Sequence, residues 1–372
     1  MSSHSHKHTG NVTSFRKKGT ETLNIRGTRI ATQNAQLLTS TGSSTLDFFI
    51  GGGLAIGTVC LIEEDRFSTY SNVLLKYFLT EGVANGHHLF LSSGEKPSKE
   101  ILSKLPSIKV PDVKPEHAQS APMNDDLKIA WRYQSQSSTF ASGIKASSQN
   151  HGYDLSKTLS EEILKTCHIS TYDPSDFLKN PTEVSLNFLP YSYYHLLERI
   201  KDEIDSGGFQ TSNKAPANVL RIGICSLGSP LFDTDAKCVQ DKDLIRFLYL
   251  LKAILRKSFA VAMVTVPSYV IQNEVLKIRM QQTCDTVIGL ESFVGSDKES
   301  NPLFKEFDGL LQVIKLPVLN TFMYPTLASD LAFKLKRKDF IIERLHLPPD
   351  FEDSQPDPNA FGCSGQPSKL DF

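Results

Sequence analysis

The chain has 372 residues, of which 40% are hydrophobic and 22% are charged, a composition typical of a soluble globular protein. Forty basic residues against 41 acidic ones leave a formal net charge of −1. This balance excludes a global attraction to nucleic acid or to an anionic membrane, so any contact with nucleic acid must come from a local patch or from partner subunits.

Residues 1–33 are polar and basic, and we expect a flexible basic arm there. Such an arm could contact phosphates, although a solvated terminus without a ligand is the simpler alternative. The arm has no apolar core of a secretory signal, and no apolar run approaches the roughly 20 residues that cross a bilayer. The six cysteines are widely spaced without a CxxC pair, which favours a reducing compartment.

The stretch Thr41–Leu79 predicts a helix, a glycine turn at Gly51–Gly53, a buried strand at Thr58–Ile62, a loop and a second helix over Val73–Val83. In a nucleotide-binding α/β protein the loop after such a strand cradles phosphates, with glycines and a Lys-Ser/Thr pair. The loop residues here are Glu63, Glu64, Asp65, Arg66, Phe67, Ser68, Thr69, Tyr70, Ser71 and Asn72. Because the loop has three acids, no glycine and no lysine, it is predicted to be a degenerate phosphate loop.

The next segments combine regular elements with insertions. His88–Ser92 predicts a second strand that completes a β-α-β unit with the first, and Pro97–Lys104 predicts a short helix. Leu127–Tyr133 is a further strand candidate. The stretches 106–126, rich in Pro, Asp and Lys, and 134–150, rich in Ser, are expected to be disordered insertions.

An amphipathic helix at Tyr191–Ile204 precedes the strand Val219–Leu227. In a nucleotide hydrolase of this kind that strand would end in an acid that helps to hold magnesium. Ser226 stands there instead, so we identify it as a missing acidic position. The dispersed acids and histidines show no spacing typical of a metal site.

The remaining elements alternate in the same way. They are a helix at Asp243–Lys257, a strand at Ala260–Pro267, a helix at Val270–Gln282, and strands at Asp285–Ser292 and Gly309–Pro317. Leu331–Leu347 predicts a β-hairpin around a Lys-Arg-Lys-Asp turn, and residues 348–372 a disordered tail. The pattern predicts an α/β fold in which helices flank a central, mostly parallel sheet within one domain, residues 34–347.

The alternating series with its TG-LD-GGG-LIEED beginning resembles the RecA-like ATPase core. Longer blocks resemble one family, that of Elongator complex protein 4. These blocks are NVTSFRKKG, STGSSTLDFFIGGGLAIGTVCLIEED, RIGICSLGSPLF, GLESFVGSDKESNPLFKEFDGL, DLAFKLKRKDFIIERLHLPPD and the terminal LDF. The resemblance covers nearly the whole chain outside residues 106–126 and 134–180.

The resemblance implies a noncatalytic RecA-like subunit of the accessory ring of Elongator, which contains two copies each of this subunit and of subunits five and six. The family ring binds tRNA and supports modification of the wobble uridine, whereas the chemistry belongs to the catalytic subcomplex. It also implies a cytoplasmic and nuclear location, no membrane partner, no cofactor in this chain, and ATP at ring interfaces through partner subunits. The alternative is a divergent ATPase with an unrecognised or inter-subunit nucleotide site.

Electrostatics favours the noncatalytic interpretation. A triphosphate about 4 Å from Glu63, Glu64 or Asp65 would meet a like charge, at a cost on the order of 4 kcal/mol for each pair at an effective dielectric near 20. We therefore expect these acids to form a structural or interface element that reaches basic groups on a neighbouring subunit.

The hairpin cations Lys334, Lys336, Arg337 and Lys338 lie where related ring ATPases carry residues that act on a neighbour's nucleotide. The alternative is that these charges are solvated on an edge hairpin.

Overall fold

A buried, mostly parallel sheet organises the chain in the computed structural model, which describes residues 25–32, 34–109, 151–174, 189–212, 216–232, 241–321 and 325–345. The described strands are β1 Thr28–Ile30, β2 Leu37–Thr39, β3 Leu54–Ala55, β4 Val59–Glu63, β5 His88–Ser93, β6 Pro106–Ile108, β7 Tyr153–Thr158, β8 Ile169–Tyr172, β9 Leu220–Cys225, β10 Ala260–Val266, β11 Thr286–Ser292, β12 Gly309–Lys315, β13 Leu331–Leu335 and β14 Phe340–Arg344. The described α-helices are α1 Ser44–Phe49, α2 Thr69–Asn85, α3 Ser98–Ser103, α4 Glu161–Thr166, α5 Tyr191–Ser206, α6 Asp241–Leu255 and α7 Glu274–Thr283.

The central sheet has the strand order β14-β13-β12-β11-β4-β10-β9-β5-β8. The strands from β11 to β8 run parallel, whereas β12, β13 and β14 continue the sheet in antiparallel pairing. All residues of β4, β9 and β10 are buried, which is why these strands appear in the sequence as continuous apolar runs. The predicted α/β class, consistent with a RecA-like fold, is confirmed.

Helices cover both faces of this sheet. On one face α2 buries Leu74, Leu75 and Phe78 against the sheet, and on the other α5 and α6 bury side chains such as Leu196 and Leu251. The two strands of the predicted β-α-β unit, β4 and β5, run parallel as expected. They do not pair with each other, because β10 and β9 lie between them. No helix in the part of the chain that the structure describes combines the length and apolar character needed to span a bilayer.

The antiparallel C-terminal hairpin is confirmed. β13 pairs with β14, and the turn closes where the Lys336 N–H donates to the Asp339 carbonyl at 2.8 Å. The turn therefore consists of the Lys-Arg-Lys-Asp sequence at which it was predicted.

Two expected boundaries are wrong. Part of the predicted arm is ordered, because Thr28–Ile30 pairs with β2 and Ile25 is only 2% exposed. The first expected insertion begins with the strand Pro106–Ile108, which pairs antiparallel with β7, and Leu105 before it is buried in the core. Residues 1–24, 110–150 and 346–372 lie outside the described residues, and with them the strand candidate Leu127–Tyr133, the Ser-rich insertion and the tail.

Candidate functional site

The parallel strands β4, β9 and β10 end at one edge of the sheet, which we call the carboxyl edge and where α/β proteins usually bind ligands. The predicted phosphate loop lies there but is shorter than expected. Glu63 is the last residue of β4, and α2 begins at Thr69, so the irregular part is Glu64–Ser68. The helix begins four residues before its predicted start because Asp65 caps it.

Asp65 binds the N-terminus of α2 with its own carboxylate. Its Oδ2 accepts from the Thr69 N–H at 3.0 Å, and its Oδ1 accepts from the N–H groups of Tyr70 at 3.0 Å and Ser71 at 3.2 Å. The residue is only 1% exposed. Free N–H groups at a helix N-terminus are the groups with which a phosphate loop holds an anion. The chain therefore supplies this anion from its own sequence.

Glu64 is held by hydroxyl groups from three separate elements. Its Oε2 accepts from Ser68 Oγ at 2.6 Å, while its Oε1 accepts from Thr265 Oγ1 at 2.6 Å and from Ser226 Oγ at 2.9 Å. Burial raises the pKa of the Glu64 carboxyl, and the three hydrogen bonds lower it in part. Ser226, identified from the sequence as a missing acidic position, thus donates to an acid from the neighbouring loop.

Backbone conformation supports the same contacts. Ser68 and Ser226 both have φ of +52°, in the left-handed region that residues other than glycine seldom adopt. Each places its hydroxyl on Glu64, and these hydrogen bonds offset a strain on the order of 1 kcal/mol.

Glu63, the third acid, faces α7. It accepts from Gln281 Nε2 at 2.7 Å, and Lys277 Nζ lies 3.9 Å from its other oxygen. All three acids are buried and bonded within the chain, which matches the structural alternative and not an interface element that reaches basic groups on a neighbouring subunit. The sequence shows their charges but not that this chain's own hydroxyls and amides satisfy them.

These residues do not fit the phosphates of a nucleotide. A phosphate at α2 would compete with Asp65 for three amide N–H groups, and the loop has no lysine that could offset its charge. Within the described ranges, no three His, Cys, Asp or Glu side chains form a group that could hold a metal ion.

Exposed apolar side chains follow the strand ends at this edge of the sheet. Phe67 follows β4, Leu231 follows β9, Tyr269 and Val270 follow β10, and Val294 follows β11, and all five are exposed. Phe67 is 58% exposed and Leu231 is 63% exposed. We call these five residues the carboxyl-edge rim. Sequence reasoning missed the rim, although each member is an apolar residue shortly beyond the end of a buried strand.

The structure does not bring the hairpin cations to this site. β13 lies three strand spacings from β4, about 14 Å across the sheet. Lys334 is engaged locally, since its Nζ lies 2.9 Å from Glu343 Oε2 and over the ring of Phe307. Lys336, Arg337 and Lys338 are exposed at the turn.

A buried arginine that sequence reasoning missed joins the small sheet β1-β2-β3 to the central sheet. Arg221 in β9 is fully buried. Its Nη1 donates to the carbonyls of Ser40 at 2.9 Å and Phe78 at 3.0 Å, and its Nη2 donates to Thr39 Oγ1 at 2.6 Å. One side chain thus connects β9, α2 and the end of β2, and the only sequence signal is a charge within an apolar strand.

His87 completes the arginine's contacts. Arg221 Nε donates to His87 Nδ1 at 3.0 Å, so the imidazole proton lies on Nε2, which donates to the Arg26 carbonyl at 2.7 Å. Burial and then the adjacent guanidinium lower the pKa of His87 to about 3. The pair therefore holds a neutral histidine beside a permanent cation.

The chain is similar to known proteins over most of its length. A family model described as PAXNEB protein matches residues 21–372. Elongator complex protein 4 of Danio rerio is 45% identical over 361 residues, covering 93% of this chain and 90% of the relative. The protein of the same name from Mus musculus is 40% identical, covering 93% and 87%. That from Saccharomyces cerevisiae is 25% identical, covering 90% and 78%.

Proposed function

The chain belongs to the Elongator complex protein 4 family, as the sequence resemblance predicted, and we propose that it is a noncatalytic RecA-like subunit of the accessory ring of Elongator. The observation that carries the noncatalytic assignment is the position of Asp65. Its carboxylate occupies the three amide N–H groups that a nucleotide phosphate would need.

In this proposal the ring contains two copies of this chain and two each of Elongator subunits five and six. It binds tRNA and acts with the catalytic subcomplex in 5-carbonylmethyl-type modification of the wobble uridine, in the cytoplasm and nucleus. This chain contributes no cofactor, and any ATP at the ring interfaces is held by partner subunits.

The carboxyl-edge rim supports assembly through this edge. Five exposed apolar side chains follow strand ends at this edge, beside a site whose carboxylates are already bonded within the chain, which is the composition of a protein interface core rather than of a nucleotide site.

Co-purification tests the assignment. A tagged wild-type chain is expected to recover subunits five and six and, after crosslinking, tRNA. The double variant Phe67→Asp, Tyr269→Asp should recover at least tenfold less of both subunits, because two buried charges oppose association. Tyr249→Asp, at an equally exposed aromatic residue on α6, is the matched control. Recovery of the wild-type chain as a monomer without either subunit would overturn the proposal.

The functional part is tested in cells that lack the chain. Wild type should restore the modified wobble uridine, measured by mass spectrometry of tRNA nucleosides, and the rim variant should not. If a rim variant that no longer recovers the two subunits still restored the modified uridine fully, tRNA modification would not require assembly of this chain into the ring.

A further inference from the structure

A hairpin and a second antiparallel strand pair bring basic side chains together on the α2 side of the molecule. The turn of the β13–β14 hairpin carries Lys336, Arg337 and Lys338, and the β6–β7 pair carries Lys157, with Lys109 just beyond β6. We call these five residues the basic hairpin surface.

Direct contacts hold the β13–β14 hairpin against the β6–β7 pair. The Leu155 N–H in β7 donates to the Lys338 carbonyl at 3.0 Å, and the Lys109 ammonium pairs with the Asp339 carboxylate in the turn. The Lys109 N–H donates to the Gly152 carbonyl at 2.7 Å, which fixes Lys109 beside the start of β7. The five cations therefore belong to one surface rather than to two separate loops.

Positive charge on this surface exceeds negative charge. Against the five exposed cations stand Asp339, paired with Lys109, and Asp154, which accepts from the N–H and hydroxyl of Ser156. Lys157, Lys336, Arg337 and Lys338 form no ion pair with any residue that the structure describes. The surface keeps about three positive charges in excess on a chain whose formal net charge is −1.

The surroundings of these charges indicate the kind of ligand. None of the exposed large hydrophobic residues among the described ranges lies on β6, β7, β13 or β14. A protein interface needs an apolar core and is depleted in lysine, whereas phosphate contacts to nucleic acid use lysine and arginine. Among the described residues, no exposed large aromatic side chain lies on these four strands or in the β13–β14 turn to stack on a base, so the described part of the surface suits phosphates rather than bases.

We propose that the basic hairpin surface binds the phosphate backbone of tRNA in the assembled complex. This inference rests on the proposed function, since it assigns to named residues of this chain part of the tRNA binding proposed for the ring. The contacts are electrostatic and independent of base sequence, so different tRNAs should respond alike to their loss.

Charge reversal at one residue of the β6–β7 pair and one of the β13–β14 turn tests the surface. Complexes containing subunits five and six are assembled with wild type or with Lys157→Glu, Arg337→Glu, and binding of fluorescently labelled tRNA is followed by anisotropy over a range of salt concentrations. We expect about tenfold weaker binding near physiological salt and a reduction of about 1.4 to 1.8 in the slope of log K against log salt, about 0.7 to 0.9 for each of the two lost phosphate contacts. Lys201→Glu, Lys257→Glu reverses the same number of charges near α5 and α6, which pack on the other face of the sheet, and should change neither quantity.

The possible outcomes distinguish the surface assignment from the proposed function. If wild type binds tRNA and the double reversal leaves affinity and slope unchanged, the surface assignment fails and the proposed function stands. If the wild-type complex does not bind tRNA, the proposed function itself fails. If the double reversal releases the partner subunits while the control complex stays intact, the surface contacts protein and the RNA assignment is overturned. The neutral pair Lys157→Gln, Arg337→Gln, which adds no repulsion, should still lower the slope by at least about 1.

Discussion

Asp65 shows how one side chain determines what a helix N-terminus binds. The formal N-cap position of α2 is Ser68, whose hydroxyl donates to Glu64 and makes no capping bond. Asp65, three residues earlier, supplies the cap and stabilises the positive end of the helix dipole from a buried position. The amide groups that could bind an external anion are thus occupied by a carboxylate of the chain itself.

We expect Asp65→Ala to lower the free energy of unfolding by about 2 kcal/mol, because it removes a cap and leaves buried N–H groups without an acceptor. Urea denaturation followed by circular dichroism measures the change. Asp65→Asn keeps one acceptor oxygen and should cost less, and exposed Arg66→Ala should stay within about 0.5 kcal/mol of wild type. A stability of Asp65→Ala equal to that of Arg66→Ala would show that the cap contributes nothing.

The contribution of Glu64 to folding stability is expected to change with pH in the opposite direction to that of a surface acid in an ion pair. Its pKa lies above the ordinary 4.5 because burial disfavours the carboxylate, so the folded state retains the proton to higher pH than the unfolded state. The protonated Glu64 therefore contributes its full stability below its unfolded pKa of 4.5, and this contribution is lost as the pH rises through the higher pKa of the folded state. Glutamine cannot ionise, so Glu64→Gln should become more stable relative to wild type as the pH rises, by at most about 1.4 kcal/mol per pH unit.

Denaturation of Glu64→Gln and wild type at about pH 4, 6 and 8, the range over which a raised carboxyl pKa acts, tests this expectation. Glu63→Gln, at the neighbouring residue, provides the control for loss of one buried carboxylate. A constant stability difference between Glu64→Gln and wild type across these pH values would contradict the expected linkage.

At the scale of elements, sequence reasoning succeeded where one element carries its own pattern. The runs of β4, β9 and β10 were predicted because strands buried on both faces are mostly apolar along their length. Sequence reasoning failed where pairing with another strand determines the structure. β1 is short and largely exposed, and it is a strand because β2 pairs with it. The separation of β4 from β5 by two strands has no local signal either.

The Arg221 network makes an element-scale prediction. Arg221→Met preserves much of the side-chain volume but removes every donor to Thr39, Ser40 and Phe78, so we expect a loss of about 3 to 5 kcal/mol, as for other broken buried charge networks. Hydrogen exchange should show β1 and β2 losing protection first, because the arginine connects them to the central sheet. Lys104→Met, at an exposed ion pair with Glu100, should cost less than about 0.5 kcal/mol. Uniform loss of protection across β2, β9 and β10 would argue against a local role.

At the scale of the whole molecule, the carboxyl edge combines a filled anion site with an apolar rim, and the hairpin surface carries the excess positive charge. The sequence predicts an acidic loop and a missing acid at Ser226, because the absence of a lysine and of an acid is visible in one chain. The contacts of these residues could not be predicted, since Glu64 meets hydroxyls from positions 68, 226 and 265, which only the fold brings together.

The filled anion site predicts that the isolated chain binds magnesium ATP no more tightly than about 1 mM, measured by isothermal titration calorimetry. A dissociation constant of about 1 mM corresponds to a binding free energy of only about 4 kcal/mol. Displacing Asp65 from α2 and repulsion by the remaining acids are enough to offset that free energy. Asp65→Gly frees the amides yet leaves Glu64 in place and no lysine, so it should not create tight binding. In the complex, ATP bound by partner subunits should survive Asp65→Ala. Magnesium-dependent binding to the isolated wild-type chain in the low micromolar range would instead favour the divergent ATPase.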